Sequence, residues 1–129
     1  MKGLILNNKI EVRKSNKHGY GVFAKDFIKK GEILEECHVI SFPNYYVNEI
    51  PSLKRNAFIF PRQENYKEMV LPLGYGCIYN SSPFPNADWE TDEKRRLIIM
   101  KNIKDIEKDE EICWDYEVNL VYCITNNLI

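Results

Sequence analysis

Histidine is scarce in this 129-residue chain: His18 and His38 are the only two. Two imidazoles cannot build a metal cluster alone. The four cysteines, Cys37, Cys77, Cys113 and Cys123, offer no help, because no CxxC pair occurs among them. Zinc ligation normally shows paired short spacings, so no metal is expected and the thiols read as free and buried. Long apolar runs are missing too. Gly3-Leu4-Ile5-Leu6 is far shorter than a secretory core or a membrane span, so neither membrane association nor export is expected. With 18 basic against 19 acidic side chains the net charge is −1, and no bulk positive field argues for nucleic acid. Nor does any segment keep a helical period for three turns, which argues against an α-helical bundle.

What remains is the composition of one globular domain spanning residues 1–129, with 44% apolar residues and no repeat or linker. Short runs of strand-forming residues recur between Gly, Pro and Asn. Strands are predicted at Ile10–Arg13, Tyr20–Ala24, Ile33–Ile40, Asn56–Phe60, Glu68–Leu71, Ala87–Glu90, Leu97–Met100 and Ile112–Tyr116. Ser41 to Lys54 reads as a loop with a helical turn near Tyr46–Glu49, and Val118–Cys123 as another short helical turn. Ile28 to Ile33 and Ile106 to Ile112 share one local pattern. Each places an apolar residue on either side of a Lys-containing turn, with Gly31 or Asp109 supplying positive φ. The predicted fold class is mostly β.

One stretch fits no regular element. Gly74 to Asn86 holds two Gly, two Pro, two Asn and three aromatics. It is too irregular for a strand and too apolar for a solvated loop, and irregular backbone of that kind gathers at sites. Three short motifs accompany it. Gly19-Tyr20-Gly21 lacks the third glycine and following helix of a dinucleotide fingerprint, so it reads as a tight turn or as backbone that approaches a ligand other than a phosphate. Asn80-Ser81-Ser82 fits a glycosylation pattern or a polar turn, and no base is placed to activate a serine. Trp114-Asp115-Tyr116 closes a strand with two large aromatics, whose default role is core packing.

In this order the motifs resemble those of one family, the SET-domain protein lysine methyltransferases. The matching stretches are Lys17 to Ala24, Gly31 to Glu36, Leu73 to Ala87 and Asp109 to Tyr116, and the resemblance they carry spans residues 10 to about 123, essentially the whole chain. In size it is most similar to the minimal viral and bacterial SET proteins, which lack flanking zinc modules. The resemblance implies a β-clip-like fold of several short sheets with little helix and a knot-like core formed partly by Asn80 to Asn86. It implies S-adenosylmethionine as cofactor and S-adenosylhomocysteine as product. His18, Gly19, Tyr20, Gly21, Tyr79, Asn80, Ser81, Tyr116 and Tyr122 would hold that cofactor. Tyr116 and Tyr20 would be catalytic, and Phe58, Trp89 and Trp114 would line the lysine channel.

Two positions depart from the family pattern. Ser81 stands where a histidine is usual, which predicts weakened cofactor affinity. No aromatic stands at Leu120, so Tyr122 is the nearest substitute for the ring that covers adenine. The implied substrate is a basic, lysine-bearing protein segment such as a histone tail, with no direct nucleic-acid partner. The acidic runs Glu32–Glu36, Asp88–Glu93 and Asp105–Glu111 read either as its complement or as solvated surface. A homodimer through Phe42–Ile50 or Leu120–Ile129 is a further expectation. The location would be cytoplasmic in a bacterium, with a host nucleus as the alternative if histones are the target. The rival reading is a degenerate SET fold that binds protein or cofactor without turnover.

Overall fold

Short β-branched and aromatic runs cut by turns build two sheets in the computed structural model, which describes residues 3–116. The first sheet has the order β1 (Ile10–Lys14), β2 (Tyr20–Ala24), β9 (Glu111–Trp114), β6 (Asn80–Ser81). The second has the order β4 (Phe58–Phe60), β5 (Glu68–Pro72), β3 (Ile33–Phe42), β8 (Leu97–Asn102), β7 (Ala87–Asp92). Every named strand pair is antiparallel except β6 with β9, which is parallel. The mostly-β class with several sheets and little helix is as expected from the sequence. The predicted helical turn at Val118–Cys123, and the residues Leu120, Tyr122 and Cys123, lie outside the described residues.

The shared pattern of Ile28–Ile33 and Ile106–Ile112 has a structural meaning. Ile28 and Ile106, both fully buried, pair as an antiparallel bridge and exchange two backbone hydrogen bonds of 2.9 Å. Gly31 at φ 90° and Asp109 at φ 71° each occupy the left-handed region that the turn requires.

Several boundaries differ from the sequence reading. β3 runs on to Phe42, and a second helical segment, α2 (Pro51–Asn56), follows α1 (Tyr46–Glu49) where a loop was expected. Pro51 breaks a sequence pattern as a loop residue does, but proline also suits the first helical position, where no N–H is needed. β4 begins at Phe58, and β9 ends at Trp114, two residues before Tyr116. Within the irregular stretch, β6 is too short to leave any period.

β3 corrects the reading of the first acidic run as solvated surface. Its pairing with β8 shifts register between Ile33 and Glu35, so simple alternation fails and Leu34, Glu35, Glu36 and Cys37 are all buried. Glu36 pairs with Arg95 at 2.8 Å and accepts the Ile5 N–H at 3.0 Å, fixing the N-terminal segment beside β3. Glu35 turns toward the irregular stretch instead. The core gathers between the sheets around Val22, Leu34, Phe58, Phe60, Val70, Tyr79, Ile98, Met100 and Ile112. No helix among the described residues is long and apolar enough to cross a membrane.

Candidate active site

Two non-adjacent segments are joined through one amide. Asn80, 8% exposed at the start of β6, sends its Nδ2 to the His18 carbonyl at 3.1 Å, the Tyr20 carbonyl at 3.2 Å and Glu111 Oε2 at 2.7 Å. Glu111 is held in turn by the Ser15 hydroxyl at 2.7 Å. Gly19-Tyr20-Gly21 is therefore clamped by its carbonyls. Gly19 adopts φ 48°, and a Cβ at Gly21 would collide with the Glu111 carboxylate and lie 2.9 Å from Asn80 Nδ2. The glycine is needed for this close approach, not for turn freedom. Glu111 was missed by the sequence reading. Its one hint, an acid at the start of an apolar strand, does not distinguish it from a surface residue.

The Asn80–Asn86 segment is sewn to β9 throughout. Asn80 pairs with Cys113 and Ser81 with Trp114. Ser82 N–H donates to the Trp114 carbonyl at 3.1 Å, and the Asn86 side chain both accepts from Cys113 N–H at 2.8 Å and donates to the Glu111 carbonyl at 2.9 Å. Among the described residues β6 is the last strand of its sheet, with no strand on its other edge. Ser81, the departure from the family pattern, has a definite contact: its hydroxyl accepts the Tyr116 N–H at 3.1 Å. It thereby holds the chain where β9 has ended. The Tyr116 hydroxyl donates to the Tyr79 carbonyl.

The aromatic residues expected to line a channel do come together. Phe58 lies 4.9 Å from Trp89 edge-on and 4.9 Å from Trp114, and Trp114 lies 4.5 Å from the half-buried Tyr116 ring. Arg62 covers Trp89 from the other direction, 4.5 Å from its ring, and is held by Asp88 at 2.8 Å. Phe58, Trp89 and Trp114 are at most 5% exposed, so these walls are closed against one another. Among the described residues, the indole N–H groups of Trp89 and Trp114 have no hydrogen-bond partner. Tyr20, by contrast, is 65% exposed and stands apart from this cluster, contributing its backbone to the clamp. Among the described residues no group of His, Cys, Asp or Glu is arranged to hold a metal.

Burial pushes the Tyr116 phenol up to about 12, so it stays a neutral hydrogen-bonding group near neutral pH. Burial also raises the Glu35 carboxyl above the usual carboxylate range, against hydrogen bonds from Tyr75 N–H and Tyr79 O–H that pull it down. A raised carboxyl stabilises the fold most below its unfolded value and loses that contribution as pH climbs through the folded one. The melting-temperature advantage of the wild type over Glu35→Gln should therefore be largest near pH ~4 and shrink toward pH ~7. Thermal melts across that range check this, and an advantage that grows with pH would contradict it.

A SET domain profile matches residues 19–117. The chain belongs to the SET-domain family. Over 113 residues it is 26% identical to a histone-lysine N-methyltransferase of Schizosaccharomyces pombe described as H3 lysine-37 specific, an alignment covering 87% of this chain and 76% of that protein. It superposes with a TM-score of 0.66, at 32% identity, on a candidate histone methyltransferase from Plasmodium falciparum, covering 86% of this chain and 95% of the other. A humanised Polycomb Repressive Complex 2 from Chaetomium thermophilum, bound to the inhibitor GSK126, gives the same TM-score at 22% identity. That match covers 85% of this SET domain but 15% of the complex's chain, and shows the fold alone. Family and relative together support a protein lysine methyltransferase.

Proposed function

We propose that this SET domain transfers a methyl group from S-adenosylmethionine to a lysine side chain in a basic protein segment, of which a histone tail is the leading case. The observation that carries the proposal is the closure of Phe58, Trp89 and Trp114 against Tyr116, whose hydroxyl meets the carbonyl just before the Asn80 clamp.

The residues present suit the cofactor. The clamped backbone of Gly19–Gly21 offers a wall with no side chain at Gly19 or Gly21, the edge of β6 offers Ser81 backbone groups, and Tyr116 joins Ser81 to the aromatic cluster. When bound, S-adenosylmethionine supplies a sulfonium methyl for in-line displacement. Only a neutral amine attacks, and a free lysine titrates near ~10.4, so the channel must favour the uncharged form. Closed aromatic walls remove water and disfavour the ammonium, while their faces still attract it as it enters. The neutral Tyr116 hydroxyl, fixed on the Tyr79 carbonyl, aligns the nitrogen lone pair without acting as a strong base. Rate then comes from orientation and desolvation. Exposed acidic side chains such as Glu90, Glu107 and Glu110 complement a basic substrate. Of the two segments on which a homodimer would form, Phe42–Ile50 exposes Tyr45, Tyr46 and Ile50, and Leu120–Ile129 lies outside the described residues. Action on histones would place the protein with chromatin, in a host nucleus if its source is a bacterium or virus.

Isothermal titration with S-adenosylmethionine should give saturable binding, followed by transfer of labelled methyl to histones or histone-derived peptides. No heat at millimolar cofactor overturns the enzyme reading. Saturable binding without transfer to histones or lysate proteins would favour a binding module, the reading that the Ser81 departure suggests.

A further inference from the structure

Glu35 and Glu36 are adjacent and equally buried, yet they are treated differently. Glu36 is compensated by Arg95. Glu35 meets no cation among the described residues, and its partners are the Tyr79 hydroxyl at 2.9 Å, the Tyr75 N–H at 2.8 Å and the Cys37 thiol. Burying a carboxyl without a cation is costly, and hydrophobic residues of similar size would fill β3 more cheaply. Retention of the acid calls for a reason beyond packing.

The geometry around it supplies one. Glu35 Oε2 occupies the space that a Gly74 Cβ would need, and Gly74 sits at φ 75°. One oxygen fixes the start of the Tyr75–Tyr79 turn and the other fixes its end, through a Tyr79 side chain that is fully buried. Tyr79 then delivers two things. Its carbonyl receives the Tyr116 hydroxyl, and the next residue is Asn80, which clamps the glycine loop.

We propose that Glu35 is a positioning residue for Tyr116, setting through Tyr79 the carbonyl that aims the Tyr116 hydroxyl. It rests on the methyl-transfer reading, which assigns that hydroxyl its role. Gln is nearly isosteric, but with its carbonyl on the Tyr75 N–H its NH2 must donate to the Tyr79 hydroxyl, which reverses that bond and takes away the acceptor of the buried phenol hydrogen. Tyr79→Phe removes the same link from the other side.

The test is steady-state kinetics on Glu35→Gln, Tyr79→Phe and the double variant, with S-adenosylmethionine and a histone peptide. The expected result is a kcat lowered on the order of tenfold to a hundredfold in each single variant, with both KM values within about threefold. The double variant should be no worse than either single one, because both cut the same chain. A second readout needs no turnover. Tyrosine labelled at Cζ gives an NMR signal assigned to Tyr116 by its loss in Tyr116→Phe, and that signal should shift in Glu35→Gln although Glu35 does not touch Tyr116. A folded Glu35→Gln with wild-type kcat and an unmoved Tyr116 signal overturns the inference, as does a double variant whose losses multiply. If Glu35→Gln fails to fold, Tyr79→Phe decides alone by the same kcat and NMR criteria. If the wild type transfers no methyl group, the functional reading fails while the NMR shift still decides whether Glu35 positions Tyr116.

Discussion

Tyr116→Phe is expected to lower methyl transfer by a factor on the order of 10² to 10³ while leaving cofactor affinity and folding near wild type. The ring should stay in place. It packs 4.5 Å from Trp114, and its backbone N–H is held by the Ser81 hydroxyl, neither of which the substitution touches. What disappears is the single hydrogen bond to the Tyr79 carbonyl and the dipole that it fixes. In the folded protein that loss costs about 1 kcal/mol, a few degrees of melting temperature. At the reaction it costs more, because a fixed group in a dry channel acts where water cannot substitute. Single-turnover transfer at saturating cofactor, with titration calorimetry alongside, separates the two effects. Transfer at the wild-type rate would remove Tyr116 from its role, and lost cofactor binding would make its contribution one of binding instead.

Ser81→Ala is the natural companion to that experiment, because it deletes the hydroxyl that anchors Tyr116 while retaining the backbone edge of β6. The sequence presented Ser81 as a loss, a missing ring. The structure adds a positive contact that the residue's identity could not reveal, since the hydroxyl's partner is a backbone N–H 35 residues away. Legibility followed this line elsewhere. Gly31 and Asp109 were readable because a turn's need for positive φ is local. Phe58, Trp89, Trp114 and Tyr116 were nominated by resemblance, and their meeting depends on pairing between strands far apart in sequence. Glu35 and Glu111 were illegible because their partners are remote: those of Glu35 come from the irregular stretch, 40 and 44 residues later, and those of Glu111 from the β1–β2 turn and from β6, 96 and 31 residues earlier. α2 was hidden because proline marks both a loop and a helix start.

The largest loss of both stability and binding is expected from Asn80→Ala. One amide NH2 with two hydrogens serves three acceptors, the carbonyls of His18 and Tyr20 and the carboxylate of Glu111, so one of its bonds is shared. Alanine leaves all three without that donor, and Glu111 keeps the Ser15 hydroxyl. Unmet buried acceptors cost ~1–3 kcal/mol each, and partial rehydration of the loop puts the expected total at roughly 3 kcal/mol. For a domain of this size that corresponds to a melting temperature lower by about 10 °C. Cofactor affinity should fall by more than about 100-fold, because the glycine loop loses the order it would otherwise bring to binding. Asn80→Asp separates donation from shape. It preserves the outline but presents a carboxylate to two carbonyls and to Glu111, so it should be no better than alanine at neutral pH. Lowering the pH toward ~4 should improve the aspartate variant relative to alanine, since protonation restores one donor at that position. Thermal melts and calorimetric titrations of both variants at the two pH values provide the check. An aspartate variant as stable as wild type at neutral pH would show that Asn80 fills space and clamps nothing.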